Sequence, residues 1–145
     1  MPLLLTLEEQ SLLPVTTLVA MFLTRAGQVD AAREHLASHP VAFDRQDWFS
    51  QLEWAAGAEA ACAIGDASLA ARAYERLAPF AGKPCCAGSG MHIGPVDAYL
   101  ALAAAATGET SLAAAHADSA LELCVTWEIP LVAEWLRGQR DSHGF

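Results

Sequence analysis

Residues 64–74 read IGDASLAARAY, a glycine followed within three residues by an acidic residue and then by an alanine-rich run. The pattern recurs as AGQVDAAREHL at residues 26–36 and as TGETSLAAAHA at residues 107–117. Glycine tolerates the left-handed conformation that ends a helix, and acidic or small polar residues suit the start of the next one. Each stretch therefore predicts the turn of a helical hairpin, and the sequence predicts three hairpins.

Alanines on both sides of the three glycines extend this register. One alanine stands five residues after each glycine and another stands seven residues before it, at Ala32, Ala70, Ala113 and at Ala20, Ala58, Ala101. Such small side chains let the two helices of a hairpin approach closely, and the arrangement is similar to a tetratricopeptide repeat. In that register Trp54 falls on the aromatic position of a first helix. Successive glycines lie 38 and 43 residues apart, whereas a tetratricopeptide repeat usually has ~34 residues. We therefore expect the additional residues to lie in the connections between hairpins.

The composition favours helices throughout. Hydrophobic residues make up 54% of the chain, and much of this share is alanine, the best helix former. Residues that prefer strands are few and scattered, which argues against a β fold. We predict an all-α protein: a tetratricopeptide-like, right-handed stack of about three helical hairpins plus a C-terminal capping helix, forming a single domain over residues 1–145.

The predicted boundaries follow from proline, glycine and capping residues. A short helix near Leu7 precedes the first hairpin. The three hairpins cover Pro14–Ser38, Asp47–Pro79 and Pro95–Thr126, with connections at Pro40–Arg45 and Ala81–Gly94 and a last helix at Pro130–Arg137. The connection at Ala81–Gly94 is predicted to be a long, glycine-rich loop.

The charge of the chain excludes several kinds of partner. Asp and Glu outnumber Lys and Arg by 17 to 8, and the basic residues are dispersed. Nucleic acids and anionic membrane surfaces both require clustered positive charge, so neither is an expected partner. The apolar run Leu12–Leu23 is interrupted by polar residues and is too short for a membrane span, and no positive charge precedes it as in a signal peptide. We therefore expect a cytoplasmic protein whose four cysteines are thiols.

Two strings in the second half of the chain are distinctive, YERLAPFAGK at residues 74–83 and GPVDAYL at residues 94–100. Together they resemble the tetratricopeptide-like region of large bacterial signalling ATPases, which include MalT-like and LuxR-type transcriptional regulators, and of nucleotide cyclases with an attached helical region. The resemblance covers about Trp48 to Leu136. It implies a detached sensor or interaction segment, because these strings specify a scaffold and not an activity.

The catalytic parts of those regulators are missing from the sequence. The chain has no G-x-x-x-x-G-K-[ST] phosphate loop, since Gly82-Lys83 lacks the leading glycine and is followed by Pro84. No basic helix-turn-helix segment is evident near the C-terminus. ATP hydrolysis, DNA binding and a bound cofactor are therefore not expected.

The leading functional hypothesis is a protein-interaction or regulatory module that binds a protein or peptide partner in its concave groove. Carboxylates on the first helices of the repeats could hold a basic partner, and an exposed tryptophan there would be a natural anchor. The candidate binding residues on these helices are Glu53, Trp54, Glu59, Asp97 and Tyr99. His35 and His116 are predicted to be exposed helix residues.

Cys85, Cys86 and His92 are further candidate binding residues, because we expect their glycine-rich loop to border the groove and to contribute to whatever is bound there. Two alternatives stay open. These three residues could instead form the active site of an enzyme, although adjacent cysteines suit zinc poorly and the thiols could simply be packed. The other alternative is a small-molecule sensor with a pocket between hairpins, lined by tryptophan, Met21 or Met91, and His92. A closed apolar pocket would favour a small molecule, and an open groove would favour a peptide.

Overall fold

The computed structural model describes residues 15–145, so the short helix predicted near Leu7 lies outside the described part of the chain. Residues 15–145 form seven α-helices and a two-stranded antiparallel sheet. The helices are α1 (Thr16–Arg25), α2 (Val29–Ser38), α3 (Ser50–Ile64), α4 (Ala67–Leu77), α5 (Val96–Ala106), α6 (Thr110–Thr126) and α7 (Pro130–His143). The strands are β1 (Pro84–Ala87) and β2 (Met91–Pro95), and a 3-10 turn covers Ala78–Phe80. The helical prediction is thus confirmed for most of the chain.

The three glycine turns are formed as predicted. Gly27, Gly65 and Gly108 join α1 to α2, α3 to α4 and α5 to α6, and their φ angles of 74°, 76° and 83° lie in the left-handed region. The side chain of Asp66 caps α4 by accepting a hydrogen bond of 2.9 Å from the amide of Leu69. The left-handed conformation, which glycine adopts most easily, therefore occurs at each of these three turns.

Alanine packing holds the helix pairs together. The six alanines of the register are fully buried, at Ala20, Ala32, Ala58, Ala70, Ala101 and Ala113. The first helices α1, α3 and α5 also pack against one another in that order, and α7 touches α5 and α6. Helices α3 and α5 are buried on nearly all sides, since their alanine-rich surfaces let several neighbours approach at once.

The prediction of a glycine-rich loop at Ala81–Gly94 is wrong, because this segment contains the β-hairpin. Strand β1 packs against α3, where the side chain of Gln51 accepts a 3.0 Å hydrogen bond from the amide of Cys86. At the hairpin turn Gly88 has a φ of 62°, and its amide donates to the carbonyl of Trp48. Contacts with a distant helix thus stabilise strands that the local sequence does not favour.

Two helix boundaries also differ from the prediction. Helix α3 begins at Ser50 and not directly after the predicted cap residue Asp47. The carboxylate of Asp47 accepts hydrogen bonds from the Phe49 amide and the Ser50 hydroxyl in the turn that leads into the helix. Helix α7 begins at Pro130 as predicted but continues to His143, beyond Arg137. Within residues 15–145, none of the helices has both the length and the apolar run needed to cross a bilayer.

Candidate functional site

A pocket of about 450 Å³ opens between α1, β2 and α7, and α3 and α5 contribute to its lining. We call it the apolar pocket, because its surface is mostly carbon. It is lined by Leu18, Met21, Phe22 and Arg25 of α1, Leu52 of α3, Met91, His92, Ile93 and Gly94 of β2, Tyr99 of α5, and Leu131, Val132 and Trp135 of α7. Elements from both ends of the described chain therefore meet at one site.

Tyr99 ties the walls of the apolar pocket together. Its buried hydroxyl donates a 3.0 Å hydrogen bond to the carbonyl of Ile93, and its ring centre lies 5.6 Å from that of Trp135. Strand β2 and helix α7 also approach closely at Gly94, where a Cβ atom would lie 2.8 Å from Cγ1 of Val132. These contacts fix the relative positions of α5, β2 and α7.

The rim of the apolar pocket is unusually apolar for a surface. Phe22, Met91 and Leu131 are 40%, 49% and 79% exposed, and all three line the pocket. Single exposed apolar residues are common, but a group of them around one concave site indicates binding. The rim thus marks the apolar pocket as the strongest candidate site in the described part of the chain.

Arg25 is the charged residue of the pocket wall, and a buried carboxylate holds it in place. Its Nε and Nη2 donate to Oε1 and Oε2 of Glu59 at 2.6 and 2.8 Å. The side chain of Glu59 is 4% exposed, whereas that of Arg25 is 45% exposed. The hydrogen bonds to Glu59 raise the pKa of Arg25, so the guanidinium stays charged. The guanidinium carbon also lies 5.8 Å from the ring centre of Trp135.

The predicted site residues are divided between the pocket and the core. Tyr99 and His92 line the apolar pocket, and Glu59 lies directly behind its wall as the partner of Arg25. Trp54 is buried away from the pocket, with its ring centre 6.2 Å from that of Phe80. The indole nitrogen of Trp54 has no hydrogen-bond partner among the described residues.

The carboxylates predicted for partner binding are all buried. Burial raises the pKa of Glu53 to about 7. Asp97 instead accepts hydrogen bonds from the amide of Gly82 at 2.6 Å and from Nδ1 of His116 at 3.3 Å. Burial alone would raise the pKa of Asp97, but these bonds outweigh it and hold the pKa below its ordinary value. Asp97 therefore belongs to an internal polar network and not to an open surface.

The histidines predicted to be exposed lie largely inside the molecule, so that prediction is wrong. Nε2 of His116 lies 3.0 Å from the hydroxyl of Tyr74, which extends the Asp97 network from α5 through α6 to α4. His35 is buried, and its ring stacks on that of His39 at 4.5 Å.

The hairpin separates the two adjacent cysteines. Cys85 is fully buried and donates from Sγ to the carbonyl of Gln51 at 3.4 Å, and burial raises the pKa of this thiol to about 12. Successive strand residues point to opposite faces, so half-buried Cys86 lies on the other face, across from His92 in the strand register. Among residues 15–145 no group of three or more His, Cys, Asp or Glu side chains is placed to hold a metal ion.

Sequence reasoning missed most of the apolar pocket, including Arg25, Phe22 and Leu131. Nothing in the local sequence indicates that α1 and α7 lie within reach of the same ligand. The one available signal is the combination of a tryptophan, Met21 or Met91, and His92 that the sequence predicts for a small-molecule pocket. The apolar pocket does contain Met21, Met91, His92 and Trp135. Comparison with known protein families, with curated proteins and with solved structures finds no match to this chain.

Proposed function

We propose that this chain is a small-molecule binding or sensor protein whose ligand occupies the apolar pocket. The observation that carries the proposal is the pocket itself, a mostly carbon-lined space of about 450 Å³ with few polar groups. Ligand sites are typically concave, apolar and about 300–1,000 Å³ in volume, with a small number of polar groups that fix orientation. Arg25, His92 and the backbone of β2 are the polar groups available here.

The proposed fold is a tetratricopeptide-like stack, and its relation to MalT-like signalling proteins is part of the same proposal. Support comes from the glycine turns at Gly27, Gly65 and Gly108 and from the buried alanines on either side of each. In such a stack the first helices of the repeats share the binding face. Helices α1, α3 and α5 all contribute to the apolar pocket, which suits a ligand-dependent regulatory module.

A second candidate function is the binding of a protein or peptide partner through the same surface. The observation that favours it is the exposed rim of Phe22, Met91 and Leu131, which a small molecule would leave partly uncovered. An apolar side chain of a partner could enter the apolar pocket while its backbone covers the rim. An enzyme using Cys85, Cys86 and His92 has the weakest support, because burial raises the pKa of the Cys85 thiol and the strand places Cys85 on the face opposite Cys86 and His92.

The test uses the neutral fluorescent probe N-phenylnaphthylamine and two matched variants. Leu131 and Val125 are both exposed aliphatic residues, at 79% and 74%, but only Leu131 lines the apolar pocket. We expect saturable binding to the wild-type protein at one site, weaker binding to Leu131→Glu, and unchanged binding to Val125→Glu. A carboxylate at position 131 would have to lose water on contact with the apolar probe.

Two outcomes would contradict the proposal. One is the absence of saturable binding to the folded wild-type protein. The other is an equal loss of affinity in Leu131→Glu and Val125→Glu, which would place the probe on a general apolar surface. Circular dichroism of both variants provides the check that each is folded.

A further inference from the structure

We infer that the ligand of the apolar pocket is an amphipathic carboxylate, whose head group binds Arg25 and whose apolar tail fills the pocket. The inference rests on the proposed binding function and adds the chemical class of the ligand. It is carried by the hydrogen-bonding geometry of Arg25, by the burial of its partner Glu59, and by the apolar wall beside them.

Arg25 has donors left over after it pairs with Glu59. A guanidinium group carries five N–H donors in a rigid plane, and Glu59 accepts from Nε and from Nη2. The remaining hydrogens on Nη1 and Nη2 include a second parallel pair at the end of the side chain. No acceptor among the described residues contacts this pair. A carboxylate, with two oxygens in one plane, matches it with two parallel bonds.

The guanidinium is also ordered before any ligand arrives. Glu59 is almost completely buried and fixes one edge of the group, while the ring of Trp135 lies 5.8 Å from the guanidinium carbon. Binding therefore does not require a flexible arginine to be immobilised, which is a common cost of recognition. A group held from behind by a buried carboxylate is oriented in the way that binding sites require.

The charges at the site determine where the head group lies. Glu59 already neutralises Arg25, so recognition depends on hydrogen-bond geometry more than on net attraction. A carboxylate would be expensive to bury fully, and Glu59 would repel it there. Because the side chain of Arg25 is 45% exposed, the head group can remain in contact with water at the mouth. The tail then extends along the apolar wall, which includes Leu18, Phe22 and Leu131.

The test is calorimetric titration with decanoate and with decanol, which share one apolar chain and differ in the head group. Both are used below the concentration at which they aggregate, at a pH that ionises decanoate. We expect the wild-type protein to have an affinity for decanoate at least about tenfold higher than its affinity for decanol, because only decanoate forms charge-assisted hydrogen bonds with Arg25. In the double variant Arg25→Gln/Glu59→Gln, which leaves no unpaired buried charge, we expect this preference to disappear.

Two further variants sharpen the test. Arg25→Lys keeps the ion pair with Glu59 but loses the planar fork, so it should also lose the preference, and it provides the answer if the double variant does not fold. Arg33→Lys makes the same substitution at an arginine that pairs with Asp30 and does not line the apolar pocket, so it should leave the preference intact.

The results separate the inference from the proposal beneath it. If decanol binds saturably and as tightly as decanoate, the inference is wrong and the apolar pocket still binds ligands. If the preference survives in every folded Arg25 variant or disappears in Arg33→Lys, Arg25 is not the head-group site and the inference is again wrong. If neither compound binds while N-phenylnaphthylamine does, only the assigned ligand class fails. If none of the three binds, the proposed function fails with it.

Discussion

Small side chains at a few positions control how closely the helices of this protein pack. Ala70 and Ala71 are neighbours on α4, but Ala70 is fully buried against other helices whereas Ala71 faces solvent. We expect Ala70→Leu to lower the free energy of unfolding by about 1–3 kcal/mol, because the added carbons have no space. Ala71→Leu should change it by less than about 0.5 kcal/mol.

Chemical denaturation of the two variants measures this difference directly. Equal stability of Ala70→Leu and the wild-type protein would mean that the register built on Gly65 does not describe the packing of α3 on α4.

Glu53 makes stability depend on pH. Its pKa rises from an ordinary value of 4.5 to about 7 in the folded protein, mainly because burial disfavours the charged carboxylate. The positive charge of Arg45 lowers this pKa, and the negative charges of Asp47 and Asp44 raise it further. The folded state therefore binds this proton more tightly than the unfolded state does. The resulting stability is present below pH 4.5 and is lost as the pH rises to about 7.

We expect Glu53→Gln to remove that loss. Relative to the wild-type protein, the variant should gain stability as the pH rises from about 4.5 to about 7 and should keep the gain above that range. Glu75→Gln, at an exposed position of α4, is the matched control for replacing a glutamate by glutamine. Urea unfolding at several pH values measures the free energy of unfolding as a function of pH. Parallel plots for Glu53→Gln and the wild-type protein would contradict the prediction.

At the scale of elements, the β-hairpin approaches α7 closely at Gly94. Gly94 has a φ of 113°, which is unfavourable for other residues, and a Cβ there would clash with Val132. We expect Gly94→Ala to destabilise the protein by about 1–3 kcal/mol. Its affinity for N-phenylnaphthylamine should also fall, because β2 and α7 form two walls of the apolar pocket.

Gly90→Ala is the control for this prediction. Gly90 lies at the hairpin turn in open space, outside the left-handed region, so the added methyl group meets no atom. In thermal unfolding and in binding of N-phenylnaphthylamine, Gly94→Ala should be less stable and bind more weakly than Gly90→Ala. Identical behaviour would show that the close approach of Gly94 to Val132 is unimportant for both stability and binding.

Local sequence was sufficient to predict the helices and their turns but not the hairpin. The turns at Gly27, Gly65 and Gly108 depend on the conformational freedom of a single residue type, which is visible in the sequence. The strands contain few residues that favour β structure, and they are held by Gln51 of α3, which is distant along the chain. Tertiary contacts of this kind leave no local pattern.

For the molecule as a whole, the binding site is a product of the assembled stack. Tyr99 and His92 could be proposed from the sequence, Tyr99 on a predicted first helix and His92 as the imidazole of the predicted glycine-rich loop. A tryptophan was expected in such a pocket, but the contact of Arg25 with Trp135 was not, since these residues meet only when α1 and α7 are brought to the same side of α5. Similarly, the burial of Glu59 behind Arg25 turns a residue predicted to hold a basic partner into an internal support.

The most direct test of the apolar pocket as a binding site uses its methionines. The chain has three, and Met21 and Met91 line the pocket on different elements, whereas Met1 lies outside the described residues. In protein labelled with ¹³C at the methionine methyl groups, titration with N-phenylnaphthylamine should shift the signals of Met21 and Met91 together, with one dissociation constant. Assignment by Met21→Leu and Met91→Leu identifies each signal. Saturable binding that leaves both signals in place would contradict the account.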